Sequence, residues 1–151
     1  MIDLLTAIKT ALDADATLAA YNEIVDIRKW RADSLPDFET YGIVVSPSAQ
    51  TVEDDAIRSK RDRLVVRLYV LAYDFGANAL NGESAGAVGI LKMVADVIAC
   101  LEGNDLAGYV ELTGEEINAS IALNEVPAPG RDRFYHEVTL ELTYYKPARA
   151  W

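Results

Sequence analysis

The stretch Leu64–Asp74, LVVRLYVLAYD, constrains the fold more than any other part of the chain. It runs for eleven residues without Pro or Gly and is dense in Val, Leu and Tyr. At the two-residue period of a strand, Leu64, Val66, Leu68, Val70 and Ala72 share one face. Val65, Arg67, Tyr69, Leu71 and Tyr73 share the other, which is apolar but interrupted by a charge. Extended, the run spans about 36 Å, long for a strand. A strand apolar on both faces belongs at the centre of a sheet, with helices over one face and a more polar layer over the other.

The flanking segments supply those layers. Leu4, Leu5, Ile8, Ala11 and Leu12 follow helical spacing, with Asp3 near the positive end of the helix dipole. Asp15 is placed to cap a second short helix reaching Tyr21. Ile24–Trp30 alternates as a strand, and Arg31–Glu39, with Pro36, reads as a loop. Tyr41–Val45 is predicted as a short strand stopped by Ser46-Pro47-Ser48. Gln50–Asp62 joins it to the central strand as the outer part of a long hairpin. Phe75–Glu83 reads as a loop, after which Ser84 can cap a major helix over Ala85–Glu102, closed by Gly103-Asn104. Its predicted apolar stripe is Val88, Leu91, Val94, Val97, Ile98 and Leu101, with Gly86 and Gly89 each weakening the first turns by about 1 kcal/mol. Leu106–Thr113 opens a further extended piece, and Glu116–Glu125 alternates with Ile117, Ala119, Ile121 and Leu123 on one face. Val126–Asp132 is a Pro- and Gly-rich connection, and Phe134–Tyr145 is the last strand. Without regular βαβ alternation, the pattern predicts an α+β fold. Its mainly antiparallel sheet carries the long charged hairpin and packs against the major helix and the N-terminal helix. A single domain spans residues 1–151.

Composition narrows the partners. The formal charge of −10 opposes non-specific grip on a phosphate backbone. Cys100 is the single cysteine, so no intramolecular disulfide can form. The N-terminus lacks the basic start of a signal peptide, and no apolar run approaches the roughly 18 residues of a membrane helix.

Constellations for catalysis are sparse. His136, the single histidine, would need an oriented partner to act as a base, and Cys100 would need that base beside it. Cys100 instead reads as a small apolar residue on a core-facing helix. One His and one Cys do not build a zinc site, and Glu53-Asp54-Asp55 lacks calcium-loop spacing. Gly82, Gly86 and Gly89 do not match a dinucleotide fingerprint. Glu115 and Glu116 point to opposite faces when extended. The expectation is a chain that is not an enzyme and holds no metal or cofactor.

The sharper feature is the hairpin, where Glu53, Asp54 and Asp55 are followed by Arg58, Lys60, Arg61 and Arg63. Charges of both signs suit pairing with a neighbouring subunit. Equally, they suit a solvated edge that resists aggregation. Val52 and Ile57 are the only sizeable apolar side chains between Gln50 and Arg63, so the arm is expected to order on assembly rather than alone.

In order, these features are an opening helix MIDLLTAIKTALDAD, a strand and charged loop, and a short strand ending VVSPS. A charged hairpin, the LVVRLYVLAYD strand, an Ala-rich helix and a strand ending LTYYK follow. Over nearly its whole length the chain resembles the tail-terminator, or tail-completion, proteins of long-tailed bacteriophages. The resemblance implies a structural virion protein that forms a ring, usually a homohexamer, on the head-proximal end of the tail tube. Such a ring ends tube polymerisation and offers the head-joining surface. It implies contacts with the tail tube protein and head–tail connector proteins, and a lumen through which DNA passes without specific binding. Localisation would be the virion tail, assembled in the host cytoplasm, with no membrane. Phage neck and baseplate ring proteins share much of this pattern. A small cytosolic ligand-binding or enzymatic domain, with a pocket between the Ala85–Glu102 helix and the sheet, is the alternative from a different class.

Overall fold

The computed structural model describes residues 1–21, 24–29, 40–56, 59–73, 89–104, 106, 111–127, 134–146 and 149–150, with backbone alone at 24, 55, 56, 59, 111–127, 134, 149 and 150. The fold is α+β. Helix α1 (Ile2–Ala14) turns into the short α2 (Ala16–Ala19). Asp15 caps α2 through its Oδ1, which accepts the N–H groups of Thr17 at 2.9 Å and Leu18 at 3.0 Å. Strand β1 (Ile24–Ile27) precedes the hairpin of β2 (Tyr41–Ala56) and β3 (Ser59–Tyr73). Helix α3 (Ile90–Leu101) then leads to β4 (Glu111–Pro127), β5 (Phe134–Tyr145) and the two-residue β6 (Arg149–Ala150).

The sheet runs β1-β2-β3-β5-β4, with β6 paired beside the outer part of β3. Only β1 is parallel to its neighbour; the other pairings are antiparallel. The central place expected for Leu64–Asp74 belongs to β3, whose Leu68 lies between Val45 of β2 and Leu140 of β5. Leu64, Val66, Leu68, Val70 and Ala72 are fully buried against Leu4, Ile8 and Leu12 of α1 and Met93, Val97 and Leu101 of α3, in one core. Burying each such aliphatic side chain contributes about 1.5–3 kcal/mol. The opposite face holds a smaller cluster of Val44, Leu71, Tyr73 and Tyr135, with Tyr69 at its margin. There Tyr135 is buried with no hydrogen-bond partner for its hydroxyl. Burial, then the Glu137 carboxylate and Tyr73, push its pKa up to about 12.

Several elements depart from expectation. Strand β2 does not stop at Ser46-Pro47-Ser48 but runs 16 residues to Ala56. Among the described residues β1 pairs with β2 only to Val45, so none of them pairs with Pro47 on that side. The ladder to β3 shifts register between Pro47 and Ala49. Edge and bulge positions are those where a strand tolerates Pro, since no ladder bond is lost there. Strand β1 itself ends at Ile27 rather than Trp30; its final tie is the Arg28 N–H donating to the Val45 carbonyl at 3.2 Å. Strand β4 is longer than Glu116–Glu125 and keeps its pairing through two register shifts. The predicted face of Ile117, Ala119, Ile121 and Leu123 lies outside the described side chains.

The major helix starts at Ile90, with Gly89 as an extended N-cap, so Ser84 does not cap it. Gly is accepted at an N-cap and disfavoured inside a helix. The buried stripe is Ile90, Met93, Val94, Val97 and Leu101, while Leu91 is 39% exposed. Beyond the helix Gly103 takes φ +68, the left-handed conformation glycine adopts without Cβ strain, as expected of a helix stop. Arg31–Glu39, Phe75–Glu83, Gly86 and residues 128–132, expected to be loops, helix and connection, lie outside the described residues.

One polar contact fastens the helical layer. The Tyr21 hydroxyl donates to Asp96 Oδ2 of α3, which also accepts Lys92 Nζ at 2.9 Å. Burial alone would raise the Asp96 pKa, but the Tyr21 hydrogen bond and the Lys92 ammonium outweigh it and hold it below 3.8. A carboxylate with a depressed folded-state pKa stabilises the fold above its unfolded value, and that contribution is lost as pH falls through the folded pKa. Tyr21→Phe is therefore expected to cost about 1–2 kcal/mol at neutral pH. The gap to the parent protein should shrink as pH falls through the lowered folded-state pKa of Asp96, where the carboxylate protonates. Urea melts of both proteins at pH 7 and pH 3 test this; a gap that is equal at both would assign the loss to packing alone.

Candidate subunit interface

The core ends at Val45 on β2 and Leu64 on β3, and the hairpin continues beyond it as an arm. Thr51 pairs with Arg63, Val52 with Asp62, Glu53 with Arg61 and Asp54 with Lys60; the register then shifts before Ala56 pairs with Ser59. Two features from the far end of the chain contact the arm. Strand β6 pairs Ala150 and Arg149 with Ser59 and Lys60. Within the sheet, Arg61 lies over the Tyr145 ring, its guanidinium carbon 4.2 Å from the centroid. The Asp62 carbonyl also accepts the Lys146 N–H at 3.0 Å.

The expected interface residues thus divide. Arg61 is half-buried on Tyr145 and anchors the arm rather than presenting a bare charge. Arg63 Nε stands 3.9 Å from Glu53 Oε1, with 37% and 41% of the two side chains exposed. A contact so long and so wet adds less than about 1 kcal/mol, leaving both groups available to a partner. Asp54 is exposed and Lys60 half-exposed. The Asp55 side chain and Arg58 lie outside the described residues. Val52, 51% exposed, adds an apolar spot among the charges.

Near the base of the arm lies a feature not foreseen. Lys29, Ser46, Pro47, Ser48, Arg67 and Tyr69 line a cleft of about 190 Å³. It sits on the helix-free face, where Arg67 Nε donates to Glu141 Oε2 at 3.2 Å across the β3–β5 pair. Lys29 follows β1, and Arg67 is the charge that interrupts the apolar β3 face. The β1–β2 pairing that joins them has no local sequence signal.

The alternative site between the major helix and the sheet is filled, since Met93, Val94, Val97 and Leu101 are buried against Leu68, Val70 and Leu140. A larger groove of about 500 Å³ lies along α1, beside Asn104 and Leu106. Its α1 wall is Ala7, Ala11, Ala14, Thr6, Thr10 and Asp3, which offer little chemistry. Cys100 packs toward α1, its Sγ 3.5 Å from the Ala11 carbonyl, whereas His136 sits on β5 opposite Ala72. Among the described residues no three His, Cys, Asp or Glu side chains gather as metal ligands, and no helix is long and apolar enough to cross a membrane. No family model matches the chain, and no curated protein does.

Proposed function

We propose that this chain is a structural virion protein that forms a ring, a homohexamer, at the head-proximal end of a phage tail tube. The ring ends tube polymerisation and offers a surface to the head–tail connector. The arm is the observation that carries this reading. A two-stranded ladder extends past the core, with β6 paired beside it and Arg61 on the Tyr145 ring. It keeps Glu53, Asp54, Lys60, Arg63 and Val52 at its surface. A rigid arm with charges of both signs sets register against a neighbour while costing little ordering entropy on docking. Head-to-tail contacts of this kind close into rings. The overall charge of −10 suits a lumen along which DNA slides without adhering. In this reading the chain has no turnover of its own, binds no cofactor, and resides in the tail after assembly in the host cytoplasm.

The test is to add the purified chain to polymerising tail tubes and measure tube length by electron microscopy. Tubes capped by a ring and halted at a defined length are expected. Tubes that elongate equally with and without the chain would overturn the reading.

A further inference from the structure

Two cross-strand pairs of opposite charge lie on opposite faces of the sheet. On the helix-free face Arg67 of β3 stands beside Glu141 of β5, Nε to Oε2 at 3.2 Å. Both are at the surface, with 48% and 40% of the two side chains exposed. On the arm, Asp54 of β2 stands opposite Lys60 of β3, the acid exposed and the base half-exposed. Alternation along β3 puts Lys60 on the face of Leu64 and Val66, which pack beneath the helices, and Arg67 on the other.

The two pairs are complementary in charge and in spacing. Cross-strand neighbours sit about 5 Å apart in either pair, so one pair laid over the other sets Asp54 on Arg67 and Lys60 on Glu141. Their surroundings match as well. Lys29, exposed, lines the cleft beside Arg67 and adds to its positive end. Val52, 51% exposed on the face of Asp54, has Pro47 and Tyr69 of that cleft as apolar counterparts. One chain cannot bring its own two pairs together. Lys60 and Arg67 are about 23 Å apart along β3, and their faces are opposed.

We infer that the helix-side face of one copy's arm docks on the Arg67–Glu141 face of the next copy, with Asp54 against Arg67 and Lys29 and Lys60 against Glu141. This rests on the ring reading and names its subunit contact. Patches on opposite faces cannot be joined reciprocally by a two-fold axis, so the contact is head-to-tail and continues past two copies. Each charge keeps its own cross-strand neighbour on docking and gains a second opposite charge, which selects partner and register.

Sedimentation velocity of the full chain over a range of concentrations and salt, beside counts of capped tubes, tests this. The parent protein is expected to associate past two copies and to weaken as salt rises. Asp54→Lys/Lys60→Asp and Arg67→Glu/Glu141→Arg each exchange one pair in place, so each chain should melt close to the parent temperature. Each should raise the Kd of association by about tenfold or more, because both contacts become like-charged. Lys29→Glu, an exposed change, should weaken association in the same direction. The chain carrying both exchanges should recover most of the affinity. A doubly exchanged chain no better than either single exchange overturns the contact, as does a parent protein that stays monomeric or stops at dimers. Tubes capped equally by the parent and by each exchanged chain also overturn it, and leave the tail reading standing. Association that follows the expected order without ever capping a tube does the reverse.

Discussion

Leu68→Ala is expected to destabilise the fold by about 2–5 kcal/mol, the range for truncating a fully enclosed leucine. Leu68 is fully buried, at the middle of the central strand, with Val45 and Leu140 as its cross-strand neighbours. Beneath the two long helices, its loss removes methyl groups from a region that helix and sheet both line. Relaxation into the space is hindered from either side, because β3 is held by a ladder to β2 and another to β5. A domain of this size has only about 5–15 kcal/mol in total, so thermal melting should show a drop of many degrees. An unchanged midpoint would mean that the two-layer packing is wrong. Leu91→Ala serves as the control: Leu91 is 39% exposed on the same helix layer, and its truncation should cost far less.

Joint reversal of Lys60 and Arg63 to Glu is expected to leave the subunit folded and to abolish tube capping. Both lie beyond Leu64, the last fully buried residue of the β3 core face. The Arg63–Glu53 contact, at 3.9 Å and more than a third exposed on both sides, is a solvated one that contributes little to the isolated chain. Against a neighbouring subunit the effect is larger, since like charges brought together across an interface cost several kcal/mol. Electron microscopy should then show capped tails of normal length reduced about tenfold or more, beside an almost unaltered melt of the free protein. Normal capping by this variant would reduce the arm to a solvated edge.

Local rules made much of this chain legible before any tertiary structure. The two-residue period of Leu64–Tyr73 and Phe134–Tyr145 identified both central strands and their buried faces. Strict alternation has few other solutions. Asp15 announced α2 because a cap acts within three residues. The charged hairpin was visible because turn and charge are local properties. What the arm packs against was not visible, since β6 and Tyr145 come from the far end of the chain.

Elsewhere the outcome turned on neighbours distant in sequence. Pro47 reads as a strand stop until the ladder to β3 is seen to shift register between Pro47 and Ala49, an irregularity at which a strand tolerates Pro. The apolar arc of α3 is broad enough to seat either Ile90 and Met93 or Leu91, and contact with α1 and the sheet chose the first pair. Lys29 and Arg67 became one cleft only when β1 lay beside β2. Periodicity, caps and charge runs were determined by the sequence itself, because each is a relation between residues a few positions apart. Strand order, helix rotation and the meeting of charges came from tertiary structure, because each is a choice among packings that the same local pattern permits.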